Sequence, residues 1–270
     1  MIDLARKFHD LHRTGCFVIP NPWDAGSAKL LEQLGFPALA TTSSGFAWTQ
    51  GCADNHVTVE AALAHFRAIA SAVAIPVNGD FEGGFAVKPK DVAENFHDAA
   101  TTGVAGLSIE DSTGNPNDPL FEFSLAVERV QAAREAIDRS GTGVVLTGRS
   151  EGFIVGRPDL AETVRRLVAY AKAGADCLYA PGIRTKEQID AVVRAVAPKP
   201  VNLLVGGDFI TVGQAKELGV RRISTGGALA RSAWGGFLRA AKEIATQGTF
   251  VELTKGARWD ELEKAFGEAK

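Results

Sequence analysis

The chain has 270 residues, 46% of them hydrophobic and 23% charged, with a formal net charge of −3. That length suits one large α/β domain, and the mildly acidic balance excludes a surface built for nucleic acid or an anionic membrane, which needs clustered Lys and Arg. No apolar run approaches the ~20 residues that span a bilayer, so no membrane partner is expected. The opening Met1-Ile2-Asp3-Leu4-Ala5-Arg6-Lys7 reads as a helix start rather than a leader. Cys16, Cys52 and Cys177 are too scattered for a disulfide framework or a metal motif, so a cytoplasmic setting is expected.

One grammar repeats eight times along the chain: a short apolar run, a polar or Gly-rich link, then a longer amphipathic segment. The short runs are 16–21, 38–43, 76–81, 106–111, 144–149, 177–182, 201–205 and 222–227. Each begins nearly continuously apolar, as strands buried on both faces do in a parallel sheet. Asp24 reads as the cap of a helix after Pro22. The segment 58–73 has helical spacing, with Thr58 as N-cap. Pro158 opens and Gly174 closes another helix, and Thr211 with Gln214 forms a capping box ahead of the last strand. Eight such units predict a single-domain (β/α)8 barrel over 1–270, and the missing GxGxxG after the first strand counts against a dinucleotide-binding sheet. Residues 228–270 exceed what one barrel helix needs, and helices over 228–247 and 260–269 are expected there.

In a barrel of this kind the active site lies at the C-terminal ends of the strands. Those ends carry Asn21 and Asp24; Thr42, Ser43, Ser44 and Gly45; Asp80 and Glu82; Glu110 and Asp111; Arg149 and Glu151; Asn202; Gly226 and Gly227. Acids this dense repel one another unless a cation sits among them, and hard oxygen ligands suit Mg2+ or Mn2+. Arg149 is then the fork for a substrate carboxylate. Cys52, His56 and His97 have no partner pattern that marks them as reactive.

The segments 21–28 (NPWDAGSA), 76–85 (PVNGDFEGGF), 108–111 (SIED) and 148–151 (GRSE) resemble the strand-end motifs of the isocitrate lyase/phosphoenolpyruvate mutase superfamily, in the right order and over essentially the whole chain. The resemblance implies Mg2+, with Mn2+ as substitute, and a small 2-oxo or 2-hydroxy acid. Residue by residue, Asp80 matches the first acid of the metal motif, Glu82 stands where a second Asp is usual, and Glu110 matches the next strand-end acid. Asp54 matches a loop acid beside the metal's waters. Ser43, Ser44, Gly45 and Phe46 match a loop whose N–H groups receive substrate oxygens. Arg149 matches the substrate-binding arginine, and Glu151 and Asn202 look like orienting groups. Phe46 and Trp48 fall in a gating loop around residues 46–55.

One departure bears on activity. The isocitrate and methylisocitrate lyases of that superfamily carry a Lys-Lys/Arg-Cys-Gly-His motif after the acidic strand end, and a chain without it is not expected to have those two activities. Here residues 112–120 read STGNPNDPL, with no Cys, Lys or His. A Mg2+-dependent C–C lyase passing through an enolate, such as an oxaloacetate decarboxylase, needs no base for cleavage and is the leading expectation. P–C chemistry on a phosphonopyruvate-like acid and a non-catalytic oxo-acid binder are the alternatives; for the P–C case no second cationic group stands out. The resemblance also implies a homotetramer, or a homodimer with an exchanged C-terminal helix.

Overall fold

The computed structural model describes residues 2–267; the predicted helix start at Met1 and the predicted helix end at Glu268 and Ala269 lie outside the described residues. Eight parallel strands form the core: β1 (Phe17–Ile19), β2 (Leu39–Ala40), β3 (Val77–Asp80), β4 (Gly106–Glu110), β5 (Val145–Arg149), β6 (Cys177–Tyr179), β7 (Val201–Leu204) and β8 (Arg222–Ser224). Each lies within its predicted run. The runs overshoot because their polar last residues turn away into loops.

Sequential neighbours pair from β2 round to β8, and β8 returns to pair with β1. The remaining seam, between β1 and β2, is bridged by the Ala40 N–H donating to the Pro20 carbonyl at 3.1 Å. Asn21 ties the same corner. Its amide donates to the Thr41 carbonyl at 3.0 Å, and its Oδ1 accepts from the N–H groups of Thr225 and Gly226 at 2.8 and 2.9 Å. The expected (β/α)8 barrel is thus the observed architecture, nearly closed.

Helices α1 (Ile2–Leu11), α2 (Ala25–Gln33), α3 (Ser43–Thr49), α4 (Val59–Ala72), α5 (Pro89–Ala100), α6 (Phe123–Ser140), α7 (Leu160–Lys172), α8 (Lys186–Val196) and α9 (Val212–Glu217) surround the strands. The predicted caps are present: Asp24 with Ser27 on α2, Thr58 on α4, and Thr211 with Gln214 on α9. Helix α7 begins two residues later than Pro158, because the Asp159 carboxylate accepts from the Glu162 N–H and so takes the cap. Gly174, at φ +104, follows its end. Apolar side chains fill the layer between strands and helices, with Phe66, Phe81 and Phe96 almost fully buried and their rings 5.1–5.6 Å apart. Helix α1 covers the N-terminal end of the barrel, and its Phe8 packs with Phe17, Ile19, Ala105 and Val145. After β8, α10 (Ala228–Gln247) leads through a 3-10 turn (Glu252–Lys255) to α11 (Trp259–Phe266), which lies on α2. No helix among the described residues is long and apolar enough to cross a membrane.

Candidate active site

A cavity of about 350 Å3 opens at the C-terminal ends of the strands. Its upper wall carries Asp54, Asp80, Glu82, Glu110 and Glu151 around Arg149. The guanidinium of Arg149 is held on three sides. Nη1 meets Asp80 Oδ1 at 2.7 Å, Nη2 meets Glu110 Oε2 at 3.0 Å, and Nε meets Glu151 Oε1 at 3.0 Å. The cation that the acids require is therefore, in the first instance, a side chain of the protein. Burial disfavours the charged form of Arg149, but Glu151, Glu110 and Asp80 outweigh it and hold the group well above the ordinary arginine range. Burial also pushes Glu110 well above the ordinary carboxyl range; Arg149 opposes the rise, while Glu151, Asp80 and Glu82 add to it.

Asp80, the last residue of β3, accepts four bonds. Ser43 gives its N–H and its hydroxyl to Oδ2, at 3.1 and 2.9 Å; Ser108 Oγ (3.2 Å) and Arg149 Nη1 donate to Oδ1. Its own N–H donates to Thr41 Oγ1 at 2.9 Å. Asp80 is thus fixed at once from the link that follows β2, from β4 and from β5.

Glu82 is different. It sits at φ +47, a left-handed conformation uncommon for a residue with a side chain, and its Oε1 is buried with no hydrogen-bond partner. Its carboxyl is pushed up to about 8, first by burial and then by Asp80 and Asp54. Asp54 is exposed as a residue at the mouth, but its carboxyl is partly desolvated there, and that first and Asp80 second push it upward as well. An orphaned carboxylate oxygen among raised acids is what a hard cation would satisfy. Among the described residues no three acids, histidines or cysteines are already gathered as metal ligands, since Arg149 draws Asp80 and Glu110 to itself. The donor set nevertheless suits Mg2+, which takes one or two carboxylates and keeps several waters.

The structure corrects several readings of the β2 end. Residues 43–49 form helix α3, not a loop, because Thr42 acts as N-cap. The Gly45 N–H is spent on Thr42 Oγ1 at 3.3 Å, and a Cβ at Gly45 would stand 2.6 Å from Thr42 Cγ2. Phe46 turns out of the cavity and stacks on His65, with ring centroids 4.0 Å apart. Ser43 and Ser44 do line the cavity; Gly45 and Phe46 do not. Asp111 also faces away. It accepts from Arg166, from Tyr170 Oη at 2.6 Å and from the Glu151 N–H at 2.7 Å, and so anchors α7.

Asn202 lines the cavity, but both ends of its amide are engaged, by Arg222 Nε at 2.8 Å and by Ser224 Oγ at 2.9 Å. Residues missed in the sequence are Thr41, Asn78, Ser108, Tyr179, Arg222 and Ser224, all on the wall. Their inward direction follows from strand register rather than from composition. Tyr179 sits beside Arg149, and burial keeps its phenol up to about 12.

The family model for phosphoenolpyruvate phosphomutase matches residues 8–245. An oxaloacetate decarboxylase of Paraburkholderia xenovorans (strain LB400) is 31% identical over 226 residues, 79% of this chain and 71% of that protein. A candidate lyase/mutase from Burkholderia cenocepacia J2315 has the same fold, with a TM-score of 0.95 and 44% identity over 100% of this chain and 97% of that one. A phosphonopyruvate hydrolase, solved as a complex with oxalate and Mg2+, matches with a TM-score of 0.85 and 25% identity over 98% of this chain and 95% of that one. The family match spans most of the chain, and the rim motifs it covers are those that line the cavity: the protein belongs to the phosphoenolpyruvate phosphomutase family.

Proposed function

We propose that this protein is a Mg2+-dependent lyase that breaks a C–C bond in a small 2-oxo or 2-hydroxy carboxylic acid, with loss of a β-carboxylate from an oxaloacetate-like acid as the leading reaction. The observation that carries it is the acid rim with the unpartnered oxygen of Glu82. Asp80, Glu82 and Glu110 would hold the cation, with Asp54 beside its waters; Mn2+ would substitute. Bound there, the cation would polarise the 2-oxo group as a Lewis acid.

The chain's own residues do the rest. Ser43 fixes Asp80 through two bonds. Ser44 lines the cavity with its hydroxyl 3.1 Å from Thr42 Oγ1. Arg149 orients Asp80, Glu110 and Glu151; its fork turns to a substrate carboxylate when a cation takes over those acids. Among the described residues no Cys, His or Lys lines the cavity. That favours a cleavage in which CO2 departs without a base over one that needs a proton removed. The likeness to a phosphonopyruvate hydrolase favours one second reading, P–C bond chemistry.

The chain's partner, besides its substrate, would be another copy of itself. Phe237, Phe250, Val251, Leu253 and Trp259 are 56–79% exposed on the C-terminal helices, an apolar surface of the kind that subunits cover. Three free cysteines fit a reducing, cytoplasmic setting.

The test is a turnover screen with Mg2+ and with EDTA, over oxaloacetate, 2-methylisocitrate, isocitrate, phosphonopyruvate and 2-hydroxy-3-methyl dicarboxylates. Metal-dependent release of an oxo acid that is lost in Asp80→Ala supports the lyase. Binding without turnover leaves a binder, and the absence of both turnover and Mg2+-dependent binding overturns the metal site itself.

A further inference from the structure

The cavity is lined by two guanidinium groups, and they are in opposite states. Arg149 is ringed by three carboxylates. Arg222, on the floor, is only 3% exposed and forms no ion pair among the described residues. Its bonds run to neutral groups: Nε to Asn202 Oδ1 at 2.8 Å, Nη2 to Thr147 Oγ1 at 3.1 Å, and Nη1 to His12 Nε2 at 3.3 Å. His12 donates its Nδ1–H to the Phe8 carbonyl at 2.7 Å, which leaves Nε2 as an acceptor, and burial first and Arg222 second hold the ring neutral down to about pH 3. Among the described residues no protein group therefore balances the charge of Arg222. A buried charge without a counter-charge is costly, and it persists where something else supplies the partner.

We infer that Arg222 is the anchor for a second anionic group of the substrate, at the end away from the acid rim. This rests on the oxo-acid reading of the site. The reach is set by the barrel. Thr147, which Arg222 touches, lies two residues before Arg149 on the same face of β5, so the floor is ~7 Å below the rim at about 3.3 Å per residue. A five-carbon diacid spans that depth.

The anchor also restricts what is anchored. A carboxylate held by a guanidinium is stabilised as the anion and resists leaving as CO2, because the interaction is lost in the transition state. The group at Arg222 is one that the reaction keeps. The substrate class is then an oxo or hydroxy acid with an anionic group beyond those at the scissile bond, a longer relative of oxaloacetate, whose own second carboxylate is the one that leaves.

The test compares acids of equal length in the presence of Mg2+ by calorimetry: 2-oxoglutarate against 2-oxopentanoate, and malate against 2-hydroxybutyrate. The wild-type protein is expected to bind 2-oxoglutarate at least tenfold more tightly than 2-oxopentanoate, with a smaller gap for the shorter malate pair. Arg222→Met should close the gap to within twofold while leaving 2-oxopentanoate unmoved, and Arg222→Lys should keep part of it. Asn202→Asp changes no shape but sets a carboxylate against Arg222 Nε, and it should abolish the preference in a folded protein. Equal binding of the paired acids by the wild type overturns the anchor while leaving the oxo-acid reading intact. An equal loss for both acids in Arg222→Met and no effect of Asn202→Asp also overturn it, showing a purely structural arginine. If the wild type binds none of the four acids, the oxo-acid reading fails and the anchor fails with it.

Discussion

Replacing Arg149 by methionine keeps the volume of the side chain and removes the one cation among Asp80, Glu110 and Glu151. All three carboxylates lie within 3.0 Å of the guanidinium, and Glu151 is only 4% exposed at its side chain. Breaking a buried pair by deleting one partner costs ~3–5 kcal/mol, because the other charge stays behind in a poor solvent. At ~2–4 °C per kcal/mol for a large domain, the melting temperature should fall by roughly 6–20 °C at pH 8 without metal. The loss should depend on pH in a known direction. Glu110 and Glu151 already have raised carboxyl values in the presence of Arg149, and burial is the first cause for both. Without Arg149 they rise further. A carboxyl whose folded value lies above its unfolded one contributes stability below the unfolded value and loses it as pH rises through the folded one. The variant should therefore recover most of its stability between pH 8 and pH 5. Scanning calorimetry at the two values decides the matter. A fall below 2 °C at pH 8, or a loss equal at both pH values, would refute the view that Arg149 is the cation on which this rim depends.

Three further outcomes follow from single residues. Because Glu82 titrates near 8, Mg2+ must displace its proton at lower pH, so metal affinity should fall about tenfold per unit below pH 8 and level off above it. Titration calorimetry of Glu82→Gln should show weaker binding with a shallower slope, the remainder belonging to Glu110. Ser43→Ala removes one of the two bonds that Ser43 makes to Asp80, worth ~1 kcal/mol, and should lower kcat/KM about fivefold with a full set of metal bound. Gly79→Ala would place a Cβ 2.8 Å from two ring atoms of buried Phe66, and denaturant unfolding should show a loss of ~1–3 kcal/mol from overpacking.

Much of the barrel was legible because its cause is local. Short runs such as 106–111 open apolar and are too brief for helices, and Asp24, Thr58 and Thr211 announce their helices through bonds spanning three residues. The rim acids other than Asp54 were legible for the same reason, as each stands at or just past the end of such a run. What stayed hidden depends on direction. Glu110 and Asp111 are adjacent, yet one faces the cavity and the other holds α7, and strand alternation is the signal that separates them. Ser43-Ser44-Gly45 reads as a loop by composition, and only the Thr42 cap shows it to be a helical turn. Arg222 follows Arg221 at the start of an apolar run and looks like the end of a loop. Its burial emerges only when β8 is placed beside β7 and β1, so that Asn202 and His12 come within reach.

The central claim is that the acid rim takes a divalent cation together with a small oxo acid. Anomalous diffraction from crystals soaked in Mn2+ and oxalate tests it most directly. One strong peak is expected within bonding distance of Glu82 and Asp80, with oxalate on the metal and Arg149 turned from Asp80 and Glu110. A rim without a peak, with Arg149 still bound to its three carboxylates, would contradict it.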